Sequence, residues 1–307
     1  MISYTLIGPL GQFGYTALRR LNAIDRRPLA MHTTRRTALI VLLGLAACGD
    51  KAPPPSSATA SVEILPPLKM TQLNRERVIR VYLPPDYARS DRQYPVVYMH
   101  DGQNLFDDAT SYSGEWGVDE SLDELAATSD LALIVVGIDN GGENRMNELS
   151  PWPNADVGDA EGEGYMDFIV NQLKPVIDQT YRTLGDRKNT AILGSSMGGL
   201  ISHYAITHYP NIFSKAGIFS PSYWFSPEVY DDTRERPPTD DSRLYLMIGE
   251  REGEESVDNL LTMEKELLEL GHPPSNLHTE VVPDGEHHET LWRAHFAGAI
   301  TWLFAED

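Results

Sequence analysis

Cysteine is almost missing from this chain: Cys48 is the one thiol in 307 residues, which excludes an intramolecular disulfide. Basic side chains are also scarce, with 25 Lys and Arg against 45 Asp and Glu, a formal charge of −20. Six Arg and one Asp fall within residues 1–47, leaving 19 basic and 44 acidic residues, a formal −25, for the remainder. Such an excess argues against nucleic acid as a partner and against direct attraction to anionic lipid. It also disfavours a polyanionic substrate unless a local basic patch exists. No Pro/Gly/Ser-rich linker interrupts residues 63–307, and no internal repeat is evident. With an ordinary apolar content of 41%, that stretch is expected to form one domain with a sizeable core.

Long apolar runs are lacking too. Residues 37–47 are apolar but fall short of the roughly 20 residues of a permanent membrane span. They follow a basic start from Met31 to Arg36 and end in Leu45-Ala46-Ala47-Cys48, which resembles a bacterial lipobox. Cleavage before Cys48 would expose a thiol for diacylglycerol. Residues 31–47 thus read as a lipoprotein-type signal peptide, and residues 48–62, with Pro53, Pro54, Pro55, Ser56 and Ser57, as a flexible linker. Residues 1–30 have no place in this leader and read as an extension upstream of a true start at Met31. The expected location is outside the cytoplasm, anchored to a membrane through Cys48 and facing the periplasm or the cell surface. A plain secretory signal yielding a soluble periplasmic protein is the alternative.

The residues that are present point to chemistry. Gly194-Ser195-Ser196-Met197-Gly198-Gly199 contains G-x-S-x-G, preceded by an apolar strand at 190–193 and followed by a helical pattern from Leu200. A strand, a sharp Gly-flanked turn and a helix form the setting of a nucleophile elbow centred on Ser196. Serine is a weak nucleophile and needs a histidine oriented by a carboxylate. Val282-Pro283-Asp284-Gly285-Glu286-His287-His288-Glu289 follows the strand-like 277–282 and offers two histidines, His287 and His288. The strand-like 243–249 leads into Glu250, Glu252, Glu254 and Glu255, among which charge alone selects none. No second ligand group at a recognised spacing accompanies the His-His-Glu cluster, so no metal and no cofactor are expected.

Strand-like runs at 77–83, 95–99, 131–138, 190–193, 216–219, 244–248 and 277–282 alternate with helix-like segments at 119–127, 165–181 and 257–270. Pro175 should kink the second helix. The alternation predicts a mostly parallel α/β sheet covered by helices on both faces, with its ligand site at the carboxyl ends of the strands.

Several stretches together are similar to the putative-esterase (esterase D-like) family of α/β-hydrolases, nearest to its bacterial siderophore-esterase branch. They are Tyr98-Met99-His100-Asp101-Gly102-Gln103-Asn104, Glu115-Trp116-Gly117-Val118-Asp119, Val136-Gly137-Ile138-Asp139-Asn140, Glu148-Leu149-Ser150-Pro151-Trp152, the elbow, Phe219-Ser220-Pro221-Ser222-Tyr223-Trp224, and Gly285-x-His287-x-Glu289-x-x-Trp292. The resemblance implies an α/β-hydrolase fold and a serine esterase that works through an acyl-serine without a cofactor. Its histidine stands five residues before a tryptophan, which selects His287. Its acid stands three residues after the strand-ending glycine, which selects Glu252. It implies an oxyanion hole from the backbone N–H groups of Met197 and Gln103. The expected substrate is a small-molecule ester: a siderophore, an acyl-sugar or a simple acyl ester. Trp116, Arg145 and Trp224 are candidate substrate contacts, and Glu148, Trp152 and Tyr223 lie on loops that could join them. Two rival readings are acyl transfer through the same acyl-serine and a surface lipoprotein that binds without catalysis.

Overall fold

Eight short runs rich in β-branched and aromatic residues pair into one sheet in the computed structural model, which describes residues 55–59 and 61–305. The leader, Cys48 and residues 48–54 of the expected linker lie outside the described residues. The strands are β1 Val62–Met70, β2 Arg75–Tyr82, β3 Val96–His100, β4 Ile134–Ile138, β5 Thr190–Ser195, β6 Lys215–Phe219, β7 Arg243–Gly249 and β8 Leu277–Val282. Their spatial order is β1-β2-β4-β3-β5-β6-β7-β8. β1 and β2 are antiparallel to their neighbours, and all pairs from β4 through β8 are parallel. The helices are α1 Val118–Thr128, the single turn α2 Arg145–Glu148, α3 Gly162–Phe168, α4 Lys174–Thr180, α5 Met197–His208, α6 Glu228–Glu235, α7 Glu254–Glu269 and α8 Glu289–Leu303. None among the described residues is long and apolar enough to cross a membrane.

The period-2 geometry of a strand sends alternate side chains to opposite faces, and each face has its own core. Tyr98, Val136, Ile192, Ile218 and Leu246 pack with Phe168, Leu200 and Leu260 on one side. Val97, Val135, Leu193, Phe219 and Met247 pack with Leu122, Trp292, Phe296 and Ile300 on the other. Strands buried on both faces read as unbroken apolar runs, which is why they were visible in the sequence. The arrangement is an α/β-hydrolase fold.

Three departures from the sequence reading have physical causes. β1 carries Pro66 and Pro67 and shifts register between Leu65 and Leu68; an edge strand tolerates prolines that a central one does not. The expected strand at 131–138 shortens to Ile134–Ile138, since Ile134 already bonds Pro95 and the ladder with β3 begins at Val96. Pro175 is absorbed by a π-helical turn, Ile169–Leu173, between α3 and α4. A wider turn relieves the clash between the proline ring and the carbonyl four residues back. The described end of the expected linker is also bonded to the domain: the Ser56 hydroxyl to Asp107, the Ser57 hydroxyl to Glu115 and the Thr59 N–H to Asp119.

Candidate active site

Ser196 stands between the end of β5 and the start of α5 with φ 59° and ψ −121°. That conformation is costly for a residue with a Cβ and persists only where the surroundings enforce it. They do so here by contact. A Cβ on Gly194 would fall 2.8 Å from the Gly198 backbone and from His100, and one on Gly199 would fall 2.9 Å from the Phe219 carbonyl oxygen. The Ser196 N–H donates to that same carbonyl at 2.9 Å. The Ser196 hydroxyl shares a hydrogen bond with Ser222 at 3.2 Å rather than with His287. Met197 opens α5, where backbone N–H groups have no intrahelical acceptor and the dipole favours negative charge.

Beyond β7, a one-turn 3-10 helix, Glu250–Glu252, turns one glutamate inward. The Glu252 side chain is 2% exposed, and its Oε2 meets Nδ1 of His287 at 2.6 Å. Its Oε1 accepts the Gly249 N–H at 2.8 Å and the Ser220 hydroxyl at 2.6 Å. Ser220 in turn accepts the Trp292 indole N–H at 2.8 Å. His287 is 44% exposed, with the Trp292 ring edge-on at 5.1 Å. The other candidates lie elsewhere. His288 caps α8, accepting the Thr290 N–H at 3.2 Å. Glu250 accepts the Asp284 N–H at 3.2 Å, and Glu254 and Glu255 are exposed.

A cavity of about 610 Å³ opens at the carboxyl ends of β3, β4 and β5, and Gln103, Tyr112, Trp116, Arg145, Ser196 and His287 border it. Gln103 sits in the 3-10 turn Gly102–Asn104 that follows β3. Gly102 presses this turn onto β4, since a Cβ there would meet Gly137 and Ile138 backbone at 2.7 Å. The Gln103 side chain accepts the Asn140 N–H at 3.0 Å. Arg145 also faces the cavity, but its Nε and Nη2 are bonded to both oxygens of Asp101 at 2.6 and 2.8 Å. Asn140 adds a third bond to Asp101 at 2.7 Å. Burial pushes the Asp101 carboxyl up, yet the Arg145 guanidinium and these hydrogen bonds outweigh it and hold the group below its ordinary range. His100, buried beneath the elbow, bonds Tyr165 through Nδ1 at 2.8 Å, and burial lowers its pKa to about 4.

The remaining expectations divide. Trp116 borders the cavity but is 3% exposed and stacked on Phe219 at 5.5 Å, so most of its ring belongs to the core. Trp224 is 57% exposed, does not border this cavity, and meets Phe225 edge-on at 5.9 Å. Glu148 is buried between Arg75 and Arg77, Trp152 packs on Tyr204, and Tyr223 bonds the buried His203. Asp101, Asn140, Ser220 and Ser222 went unassigned in the sequence. All four stand at strand ends, within the stretches that carried the resemblance, and that position was the available signal. No group of three or more His, Cys, Asp or Glu that could hold a metal ion occurs among the described residues.

Comparison with known proteins agrees with this architecture. The family model described as "Putative esterase" matches residues 70–303. An uncharacterised Bacillus subtilis protein, YbbA, is 30% identical over 246 residues, covering 75% of this chain and 94% of that protein. The iron(III) salmochelin esterase of Escherichia coli O6:H1 is 28% identical over 159 residues, 50% of this chain but 34% of that enzyme. An IroE-like serine hydrolase from Shewanella oneidensis superposes with a TM-score of 0.65 at 24% identity, covering 80% of this chain and 82% of that one, a likeness of fold. With the family model spanning nearly the whole sheet and both sides of the cavity, the chain belongs to the putative-esterase family, near its siderophore-esterase-like members, and is a carboxylic-ester hydrolase of the α/β-hydrolase fold.

Proposed function

We propose that the protein hydrolyses esters through an acyl-serine on Ser196, with His287 as general base and acid and Glu252 as its orienting carboxylate. One observation carries this reading: the strained Ser196 and a His287 bonded from behind by buried Glu252 border the same cavity. Glu252 occupies Nδ1 of His287, so Nε2 is the nitrogen available to the serine proton. The Ser196 oxygen attacks the ester carbonyl as His287 takes its proton. The oxyanion is held by the N–H groups of Met197 and Gln103, and the alcohol leaves with the proton from His287. Water, deprotonated by His287, then releases the acid and restores the serine. The Ser196–Ser222 bond is a resting arrangement, since catalytic hydrogen bonds often tighten only around substrate.

A cavity of about 610 Å³ suits a small-molecule ester. The names of the salmochelin esterase and of a xylanase/feruloyl esterase from Xylanibacter ruminicola, 25% identical over 218 residues, favour a siderophore, acyl-sugar or small acyl ester. That xylanase match covers 69% of this chain and 27% of the relative. Arg145 is the candidate contact for an anionic substrate group, through the face of its guanidinium not used by Asp101. The same acyl-serine serves acyl transfer if an alcohol replaces water.

Ser196→Ala is expected to lower kcat on p-nitrophenyl esters by at least ~10³ and to abolish fluorophosphonate labelling with the fold intact. Wild-type activity in that variant would end the acyl-serine reading. We also propose export as a lipoprotein anchored through Cys48, supported by Leu45-Ala46-Ala47-Cys48. Cys48→Ser should abolish incorporation of a palmitate analogue; undiminished labelling would refute the anchor.

A further inference from the structure

A glutamate at the end of a single 3-10 turn is a weakly supported place for an orienting group. Glu252 is followed by Gly253 at φ 102° and flanked by exposed residues. Its side chain has one more rotatable bond than aspartate, and tenths of an ångström matter in proton transfer. Something outside the turn must hold the carboxylate. We propose that Trp292 and Ser220 are positioning residues that fix Glu252, and through it His287. The proposal rests on the acyl-serine reading above.

The hydrogen-bond inventory gives the chain a direction. The Trp292 indole Nε1–H is a donor only. It occupies a lone pair of the Ser220 oxygen at 2.8 Å, so the Ser220 proton is directed to Glu252 Oε1 at 2.6 Å. The Gly249 N–H meets the same oxygen at 2.8 Å. An ionised carboxylate only accepts, so the bond at Oε2 requires the proton to sit on Nδ1 of His287. Nε2 is then left as an acceptor for the serine proton. Polarity set at the indole therefore ends as the correct imidazole tautomer three groups away.

Two further features single out Ser220. It is buried, and its φ is 43°, in a region that a residue with a Cβ adopts only where its surroundings enforce it. Its N–H is tied to the Met247 carbonyl at 2.7 Å, which pins the turn after β6 to β7 beside the acid. Trp292 lies one turn inside α8, so the helix that carries the indole also carries the loop of His287. The five-residue spacing between His287 and Trp292 thus has a physical basis: one residue braces the base both by ring contact and through its acid.

Trp292→Phe keeps the ring and deletes only the N–H; Ser220→Ala removes the middle of the chain. Each is measured for kcat, KM and the pH profile of kcat/KM on a p-nitrophenyl ester, with thermal unfolding and near-ultraviolet circular dichroism as folding controls. Trp292→Phe should lower kcat about tenfold with KM changed less than about threefold. The acid limb of the profile should move to lower pH, because a loosened Glu252 stabilises the imidazolium less. The double variant should cost little more than Ser220→Ala alone, as members of one series do. A folded Trp292→Phe or Ser220→Ala with wild-type kcat and an unmoved acid limb overturns the proposal. So does an activity loss that tracks lowered thermal stability with no displacement of that limb. If Ser196→Ala is inactive in the same assay while these variants behave as wild type, only the positioning proposal falls. If Ser196→Ala is fully active, the acyl-serine reading falls.

Discussion

Asp101 and Arg145 show how one pair serves both structure and site. Asp101 sits at the end of β3 with φ 56°, one residue before the turn that presents Gln103. Its carboxylate is held on both oxygens by Arg145 and on one by Asn140. The pair is mostly shielded from water, so its Coulomb energy is not screened away, and loss of the fork geometry leaves a poorly compensated carboxylate. Arg145→Lys keeps the charge but permits a single contact. It is expected to lower unfolding stability by about 1–2 kcal/mol in urea titration. It should also raise the Asp101 pKa toward its ordinary value, because Arg145 is the chief group opposing burial there. Unchanged stability with a raised KM for anionic esters would instead assign Arg145 to substrate alone.

The elements differ in how plainly they were written in the sequence. β3 to β7 were readable because burial on both faces leaves no polar interruption, whereas β1 hid behind Pro66 and Pro67. The elbow was readable because steric crowding at Gly194 and Gly199 leaves a local pattern of glycines around Ser196. The resemblance separated His287 from His288 by spacing alone, and the structure adds the reason: α8 needs an N-cap, and His288 supplies it. Glu252 could not be chosen from charge, since its neighbours are equally acidic. What distinguishes it is the Ser220 hydroxyl reaching over from the end of β6, a long-range contact with no local signature, together with the bond from the Gly249 N–H, which gives the three-residue spacing its physical basis. Trp224 shows the same gap: an aromatic on a loop carries no local mark of which way it points, and the structure places it outside the cavity lining.

For the molecule as a whole, acid should be the vulnerable side despite the net charge of −20. Protonating carboxylates relieves self-repulsion as pH falls, which favours the compact state. Two buried histidines oppose it. His100 packs beneath the elbow and His203 is buried within α5, and burial lowers their pKa values to about 4 and about 3. Unfolded, each would titrate near 6.5, so the unfolded chain takes up protons first. The stability they contribute is complete above about pH 6.5 and is lost as pH falls toward 4 and 3, at up to roughly 1.4 kcal/mol per pH unit for each. Asp101, with its depressed pKa, adds to the loss at the acid end of that window. Glu120, whose carboxyl pKa is raised by burial to about 7, works the other way in this window, but it is one group against two, and surface repulsion is spread over many screened charges. Urea titrations should therefore show stability declining from pH 6.5 to 4.5, and His203→Gln should flatten the slope by about one histidine's share even though it lowers stability at neutral pH. A profile that stays level or rises between pH 6.5 and 4.5 would mean that these two rings bind protons as readily folded as unfolded.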